Sequence, residues 1–278
     1  MIVIFGGSGF VASNLSQCLS DEQRPFVNFG RQDLNLISCD TSQILEKYTE
    51  EDIIIFISAI APCKTSFDLL QNILMVTNLG KALTIRKPRK VIYISSDAVY
   101  QDSSAKLDED SPRGPGNPHG QMHFLREQIL DNVCGDVLSI IRPTLIYGFG
   151  DTHNGYGPNL FLNKCLRDEH IYLFGNGEEL RDHIWIKDLS RLILNVIDDT
   201  RFVTVNGCSG KVLSFADIAA ILASKFKKDI LIKKRDRLGP IPHNGYRAFD
   251  ITRQTVLYPD FSWTSLDNAI DDIISESI

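Results

Sequence analysis

The chain has 278 residues, 43% apolar and 23% charged, a balance that excludes disordered, collagen-like and disulfide-scaffold classes. At about 150 residues per domain, the length fits one large unit or a main domain with an appendage. Lys plus Arg number 29 against 35 Asp plus Glu, and the net charge of -6 excludes a broad nucleic-acid or anionic-membrane surface while leaving room for small basic pockets. Cys18, Cys39, Cys63, Cys134, Cys165 and Cys208 have no C-x-x-C spacing and are expected as reduced, mostly buried thiols. The N-terminal run enters glycines without a basic leader, and the longest apolar stretch, 53–61, is far short of the ~20 residues of a membrane helix. The expectation is a cytoplasmic chain with neither a nucleic-acid nor a membrane partner.

Along the chain, short apolar runs at 2–5, 26–29, 53–57, 91–95 and 137–142 alternate with helix-like segments. Each run is nearly continuous in Ile, Val, Leu or Phe, as in parallel strands covered on both faces, which predicts an α/β fold with a Rossmann-type doubly wound sheet. The first run leads into Gly6-Gly7-Ser8-Gly9-Phe10-Val11-Ala12, where a helix opens near Phe10. Small residues at 6, 9 and 12 allow a tight turn and close approach to a pyrophosphate, so strand, turn and helix together predict a dinucleotide site. The second run ends Asn28-Phe29-Gly30-Arg31, a cation rather than a ribose-binding acid. Arg31 can clamp a 2′-phosphate, which favours NADP(H) over NAD(H); if Arg31 is instead a solvated charge, Asp33 takes the ribose.

After 147 the texture changes to a Gly-, Asn- and His-rich stretch at 148–157, a length of loop that usually carries function. A helix is expected from Pro158 to about 167, another at 214–225 behind an N-cap serine, and a tail helix at 266–274. A short strand is expected at 230–232, between the basic clusters Lys225-Phe226-Lys227-Lys228 and Lys233-Lys234-Arg235, which are expected as solvated faces.

Five further motifs follow in order: Ser95-Ser96-Asp97-Ala98-Val99-Tyr100, Glu109-Asp110-Ser111-Pro112, Arg142-Pro143-Thr144-Leu145-Ile146-Tyr147-Gly148, Gly175-Asn176-Gly177 and Arg181-Asp182-His183-Ile184-Trp185-Ile186-Lys187-Asp188. With the glycine turn, they resemble the extended short-chain dehydrogenase/reductase family, the NAD(P)-dependent epimerase/dehydratase branch acting on nucleotide sugars, over nearly the whole chain. The resemblance implies an NADP(H)-binding domain at 1–150 and 183–206, with a smaller interleaved substrate-binding region at 151–182 and 207–278. It implies cofactor contacts from Gly6, Ser8, Gly9, Phe10, Val11, Arg31, Asn35, Leu36, Ser58, Ala59, Ile60, His123 and Pro143. It also implies substrate contacts from Tyr147, Asn159, Arg181 and Arg247, and a homodimer formed through a helix pair. Two guanidiniums forking onto one diphosphate would serve an acidic protein well, unless Arg181 pairs with Asp182 or Asp188. Leu145 stands where many members have a substrate-binding Asn.

By the same resemblance Ser96 orients a carbonyl, but the Tyr-x-x-x-Lys pair falls on His119 and His123. Imidazole, with a pKa near 6.5, is poised as a general acid without a helping lysine, and Arg126 shares the helix face of 119 and 123 and can supply positive charge. Asp97 is a second candidate acid, and Tyr100, Tyr147 and His183 are candidate substitutes at structural family positions. Ala98 replaces the Glu that dehydratases need, which counts against 4,6-dehydration. His119 and His123 lack the Glu of H-E-x-x-H, so no metal site is expected. The implied activity is NADP(H)-dependent 4-ketoreduction of a nucleotide-activated deoxysugar, as used for surface polysaccharides. A nucleotide-sugar epimerase with tightly bound NAD(P), and a catalytically silent NADP(H)-binding sensor, are the alternatives.

Overall fold

The computed structural model describes residues 1–151, 154–226 and 232–277. In chain order the elements are β1 (Ile2–Phe5), α1 (Phe10–Asp21), β2 (Phe26–Phe29), α2 (Thr41–Leu45), β3 (Ile53–Phe56), α3 (Ser66–Ile85), β4 (Lys90–Ile94), α4 (Pro118–Cys134), β5 (Leu138–Pro143) and β6 (Leu145–Tyr147). There follow α5 (Pro158–Leu166), β7 (Ile171–Phe174), β8 (Leu180–Trp185), α6 (Ile186–Asp198), β9 (Thr204–Gly207), β10 (Val212–Ser214), α7 (Phe215–Lys225), β11 (Ile232–Arg235), β12 (Tyr246–Arg247), α8 (Thr252–Leu257) and α9 (Leu266–Ser277). They fall into two compact units. The first comprises Met1–Gln101, Glu109–Pro143 and Leu189–Gly207, and the second Asp102–Asp108, Thr144–Asp188 and Cys208–Ile278.

The first unit is built on a six-stranded sheet in the order β2-β1-β3-β4-β5-β9, parallel at every pairing. The apolar runs make this sheet because β1, β3, β4 and β5 are buried along their whole length, leaving no polar face to solvate. Val3, Phe5, Ile54, Phe56 and Tyr93 project into one core with Val76, Leu79 and Leu83 of α3 and Leu130 of α4. The chain steps outward from β1 to β2 and then returns past β1 to β3, so the reversal lies between β1 and β3. The crevice outside the carboxyl ends of such a pair is where open α/β sheets take ligands.

In the second unit β8 pairs antiparallel with β10 and parallel with β12 and β6, and β7 pairs parallel with β11. Ser214 caps α7, accepting Asp217 N–H at 3.0 Å while Asp217 reaches back to the Ser214 amide.

Several expectations need adjustment. Residues 230 and 231 of the expected 230–232 strand, and Lys227 and Lys228, lie outside the described residues; the described strand starts at Ile232 and carries Lys233 and Lys234 exposed. Lys225 is not a solvated charge, because its ammonium reaches Asp271 at 2.7 Å and Asp267 at 3.1 Å on the tail helix. That helix runs to Ser277. All six cysteines are free thiols; Cys18 and Cys39 are half-buried and the others buried. Among the described residues, no helix is long and apolar enough to cross a membrane.

Candidate functional site

The turn after β1 is shaped by close approach. Gly6 has φ +108°, and a Cβ there would stand 2.5 Å from the Ser58 amide nitrogen, so the turn lies directly on the backbone leaving β3. Its amide and that of Gly7 donate to Phe29 O at 2.9 and 3.2 Å, tying the turn to β2. Gly9 caps α1 without a side-chain hydrogen bond, no acid occupies the first helical turn, and the first helical bond is Ser13 N–H to Gly9 O at 2.8 Å. The amides of Phe10 and Val11 therefore stand at a positive helix end with no acid in its first turn, which fits the diphosphate of a dinucleotide.

The other candidate cofactor residues leave the carboxyl ends of neighbouring strands. Beyond β2, Arg31 is exposed, while Asp33 turns back and accepts the Gly30 N–H at 2.8 Å. Asn35 accepts the Ile37 N–H at 3.2 Å, and buried Leu36 gives its carbonyl to Asn78 at 2.9 Å. Beyond β3, Ser58 N–H donates to Phe5 O at 2.9 Å, Ala59 is exposed, and Ile60 is held at both amide and carbonyl by the buried Asn72 carboxamide at 3.0 Å. Pro143 closes β5 in register with Gly207. The strand ends thus gather Gly6 to Val11, Arg31, Asn35, Leu36 and Ser58 to Ile60 on one edge of the sheet.

Ser96 leaves the same edge from β4. Its hydroxyl oxygen accepts the Ala98 N–H at 3.1 Å, capping a single 3-10 turn, and lies 3.5 Å from Asp97 Oδ1. Helix α4 starts behind an Asn117 cap and Pro118, with Gly120 so close to this turn that a Cβ there would stand 2.2 Å from Ala98 O. That approach presents His119 beside the Ser96 turn. Cys63 N–H points at His119 Nδ1 from 3.4 Å, and since an amide only donates, the neutral ring carries its proton on Nε2.

One turn on, His123 is buried with its ring centroid 4.9 Å from that of His119 at 83°, and its Nδ1 lies 2.7 Å from the Tyr93 hydroxyl. Burial first, then His119 and Arg126, holds its pKa well below the usual imidazole value. Arg126, fully buried, extends along the same helix face, donates to Ser58 O at 2.6 Å and stacks over Phe56 at 4.3 Å. Arg126 thus brings its positive charge close to His123 while its guanidinium is bonded to the backbone beyond β3.

Beneath these residues lies a buried polar chain. Arg142 forks onto Glu127 at 2.9 and 2.8 Å, Ser95 donates to Glu127 at 2.6 Å, and Arg113 adds a contact at 3.0 Å. Arg142 also donates to the Tyr100 hydroxyl at 2.8 Å, which in turn donates to Asn206 at 2.7 Å. Tyr100 is thus committed to structure and makes a poor substitute acid. Sequence reasoning missed Glu127 and Tyr93; the one signal was Arg142 inside an otherwise apolar strand, since a buried guanidinium requires a buried acid.

In the second unit the candidate substrate residues are already engaged. Arg181 is buried and pairs with Glu179 at 2.6 Å. Asp182 accepts from Ser209 and Gly210 (2.8–3.0 Å), and Asp188 from Thr264 (2.6 and 3.0 Å). Arg247 lies 3.4 Å from Asp102 Oδ1 and 3.3 Å from His243 Nδ1. The Asn159 carboxamide accepts Gly148 N–H at 3.0 Å and donates to Asp151 at 2.6 Å, bracing the glycine-rich loop. Tyr147 is buried, and burial reinforced by Asp188 pushes its phenol pKa upward, which removes it as an acid near neutrality. His183 has both ring nitrogens buried, and burial holds its pKa down to about 3. Leu145 is exposed.

Residues 2–206 match the NAD dependent epimerase/dehydratase family. The chain belongs to that family. It is an NAD(P)-dependent enzyme, and its Rossmann-type sheet is the family's fold. GDP-6-deoxy-D-talose 4-dehydrogenase of Aggregatibacter actinomycetemcomitans is 27% identical over 251 residues, covering 84% of this chain and 83% of its own. The UDP-glucuronic acid 4-epimerase of Bacillus cereus, solved with UDP-glucuronic acid and NAD, superposes with a TM-score of 0.84 at 20% identity over 100% of this chain and 99% of its own. The UDP-N-acetylglucosamine 4-epimerase of Methanobrevibacter ruminantium M1, solved with UDP-N-acetylmuramic acid, gives 0.83 at 20% identity over 99% and 98%.

Proposed function

We propose that this member of the epimerase/dehydratase family is an NADP(H)-dependent 4-ketoreductase of a nucleotide-activated deoxysugar. The observation that carries the reading is the approach of α4 to the Ser96 turn, with His119 held at Nδ1 so that its proton sits on Nε2. The likeness to a 4-dehydrogenase of a GDP-linked 6-deoxysugar supports the substrate class.

In this reading the amides of Phe10 and Val11 hold the cofactor diphosphate, Arg31 takes the 2′-phosphate, and residues 58–60 line the nicotinamide side. NADP(H) supplies or accepts the hydride. Ser96, which accepts from Ala98 N–H and points its own proton at Asp97 Oδ1 from 3.5 Å, turns that proton to the sugar carbonyl oxygen. As that oxygen becomes an alkoxide, it takes the Nε2 proton of a His119 imidazolium, formed when Nδ1 leaves the Cys63 amide and takes up a proton from water, and the ring is left neutral. Asp97, beside Ser96, is the second candidate donor. Arg181 and Arg247 reach a substrate diphosphate once it displaces Glu179 and Asp102 from them.

His119→Phe removes turnover and leaves NADPH affinity intact; unchanged turnover eliminates His119 as donor. Stoichiometric NADPH consumption with a 4-keto nucleotide sugar separates this reading from its rival. Cofactor retained through purification, with no net consumption, favours an epimerase.

A further inference from the structure

We propose that Tyr93 is a positioning residue that donates its phenol proton to His123 Nδ1, fixing His123 as the neutral imidazole protonated at Nε2. The two groups are 2.7 Å apart and both buried, Tyr93 completely. Tyr93 cannot move away. It sits in β4 between Phe56 of β3 and Ile140 of β5 in register, and its ring packs 5.6 Å from that of Phe56 and 6.0 Å from that of His123.

A Tyr–His contact can run either way, and three observations choose the direction. The Arg126 guanidinium lies 5.2 Å from the Tyr93 ring on the helix that carries His123, so a second positive charge on the imidazole is disfavoured and only one ring nitrogen bears a proton. The rival acceptor for the phenol proton is Ser95, a hydroxyl whose own proton is committed to Glu127 at 2.6 Å; an imidazole nitrogen is much the more basic of the two. Finally, the neighbouring His119 is held in the same tautomer by an amide that can only donate. Both rings of the pair thus turn Nδ1 to a protein donor and keep Nε2–H.

With Nδ1 occupied, Nε2–H is the single donor that His123 offers. A lysine at this helical position would offer three donors and a charge; here the donor and the charge are divided, the charge resting on Arg126 at Ser58 O. Assigning that Nε2–H to the cofactor ribose rests on the reading under Proposed function, whereas the tautomer does not.

The test is 15N–1H long-range correlation spectroscopy of protein labelled at the histidine imidazoles, without substrate, with His123→Gln used for assignment. The wild-type protein is expected to show His123 Nδ1 as the acceptor-type nitrogen and Nε2 as the protonated one. In Tyr93→Phe the His123 signals are expected to move toward a mixture of tautomers, and the Kd for NADPH to rise about fivefold, the worth of one net hydrogen bond. A wild-type ring protonated at Nδ1 overturns the proposal, and that spectrum decides even where Tyr93→Phe does not fold. A Tyr93→Phe protein with unaltered His123 signals and NADPH affinity overturns it too. A failed ketoreductase assay alongside an Nε2–H ring sinks the reaction and leaves the tautomer assignment standing.

Discussion

The proposed preference for NADP(H) rests on two side chains just beyond β2. Asp33, the alternative ribose ligand, has one carboxylate oxygen on the Gly30 amide, while Arg31 is exposed. If Arg31 forks onto that phosphate, Arg31→Ala should weaken NADPH by roughly tenfold or more and leave NADH nearly unchanged. Equal losses, measured by titration calorimetry, would remove Arg31 from the specificity argument. The same contrast between projecting and committed side chains runs through the candidate list. Asn159, Arg181 and Tyr100 are committed to protein partners. Residue type alone did not reveal those commitments, because Asp151 and Asn206 lie on other segments and Glu179, two residues before Arg181, carries no periodic signature.

In the proposed reaction helix α4 positions the chemistry, and Gly120 lets it approach the Ser96 turn. Replacing Gly120 by Ala adds helix propensity of about 1 kcal/mol, yet the new methyl would stand 2.2 Å from Ala98 O and 2.5 Å from Pro115. The clash with backbone is the larger effect, and a net loss of about 1–2 kcal/mol is expected, with a fall in turnover as His119 is pushed off the Ser96 turn. Denaturant unfolding measures it, and an unchanged midpoint would show that the two segments have room to part. The strands were the most legible elements. Fully buried parallel strands must be continuously apolar, so 2–5 matches its observed bounds and 53–57, 91–95 and 137–142 shift by a single residue, while the half-buried 26–29 also matches. The glycine turn was legible for a related reason, since close backbone approach tolerates few residue types. What stayed hidden was the polar chain Tyr100–Arg142–Glu127–Ser95, whose members come from the ends of β4 and β5, the 3-10 turn after Ser96 and the middle of α4. Only folding brings such charges together, and each would be costly alone.

Across the whole molecule, two buried imidazoles couple stability to pH. His123 and His183 both have folded-state pKa values below the unfolded value near 6.5, that of His183 at about 3. Below 6.5 the unfolded chain therefore binds more protons than the folded one, so stability is complete above that pH and declines as pH falls. Each imidazole contributes a slope of about 1.4 kcal/mol per pH unit while the difference persists. Thermal unfolding between pH 7 and about 5.5, above the range where most carboxylates titrate, should show the decline, and His183→Leu should reduce its slope. A flat profile would mean that both rings take up protons in the folded state. A different consequence follows from the outermost pairing of the parallel sheet. Strand β5 ends at Pro143, but its partner β9 begins only at Thr204, about sixty residues later. At ~5–20 residues per second a ribosome takes roughly 3–12 seconds to deliver that partner. For that interval Leu138, Ile140 and Ile141 border an unpaired strand edge, the kind of surface that recruits other chains. The window in which this protein is most prone to aggregate is therefore set by its topology and opens during its own synthesis.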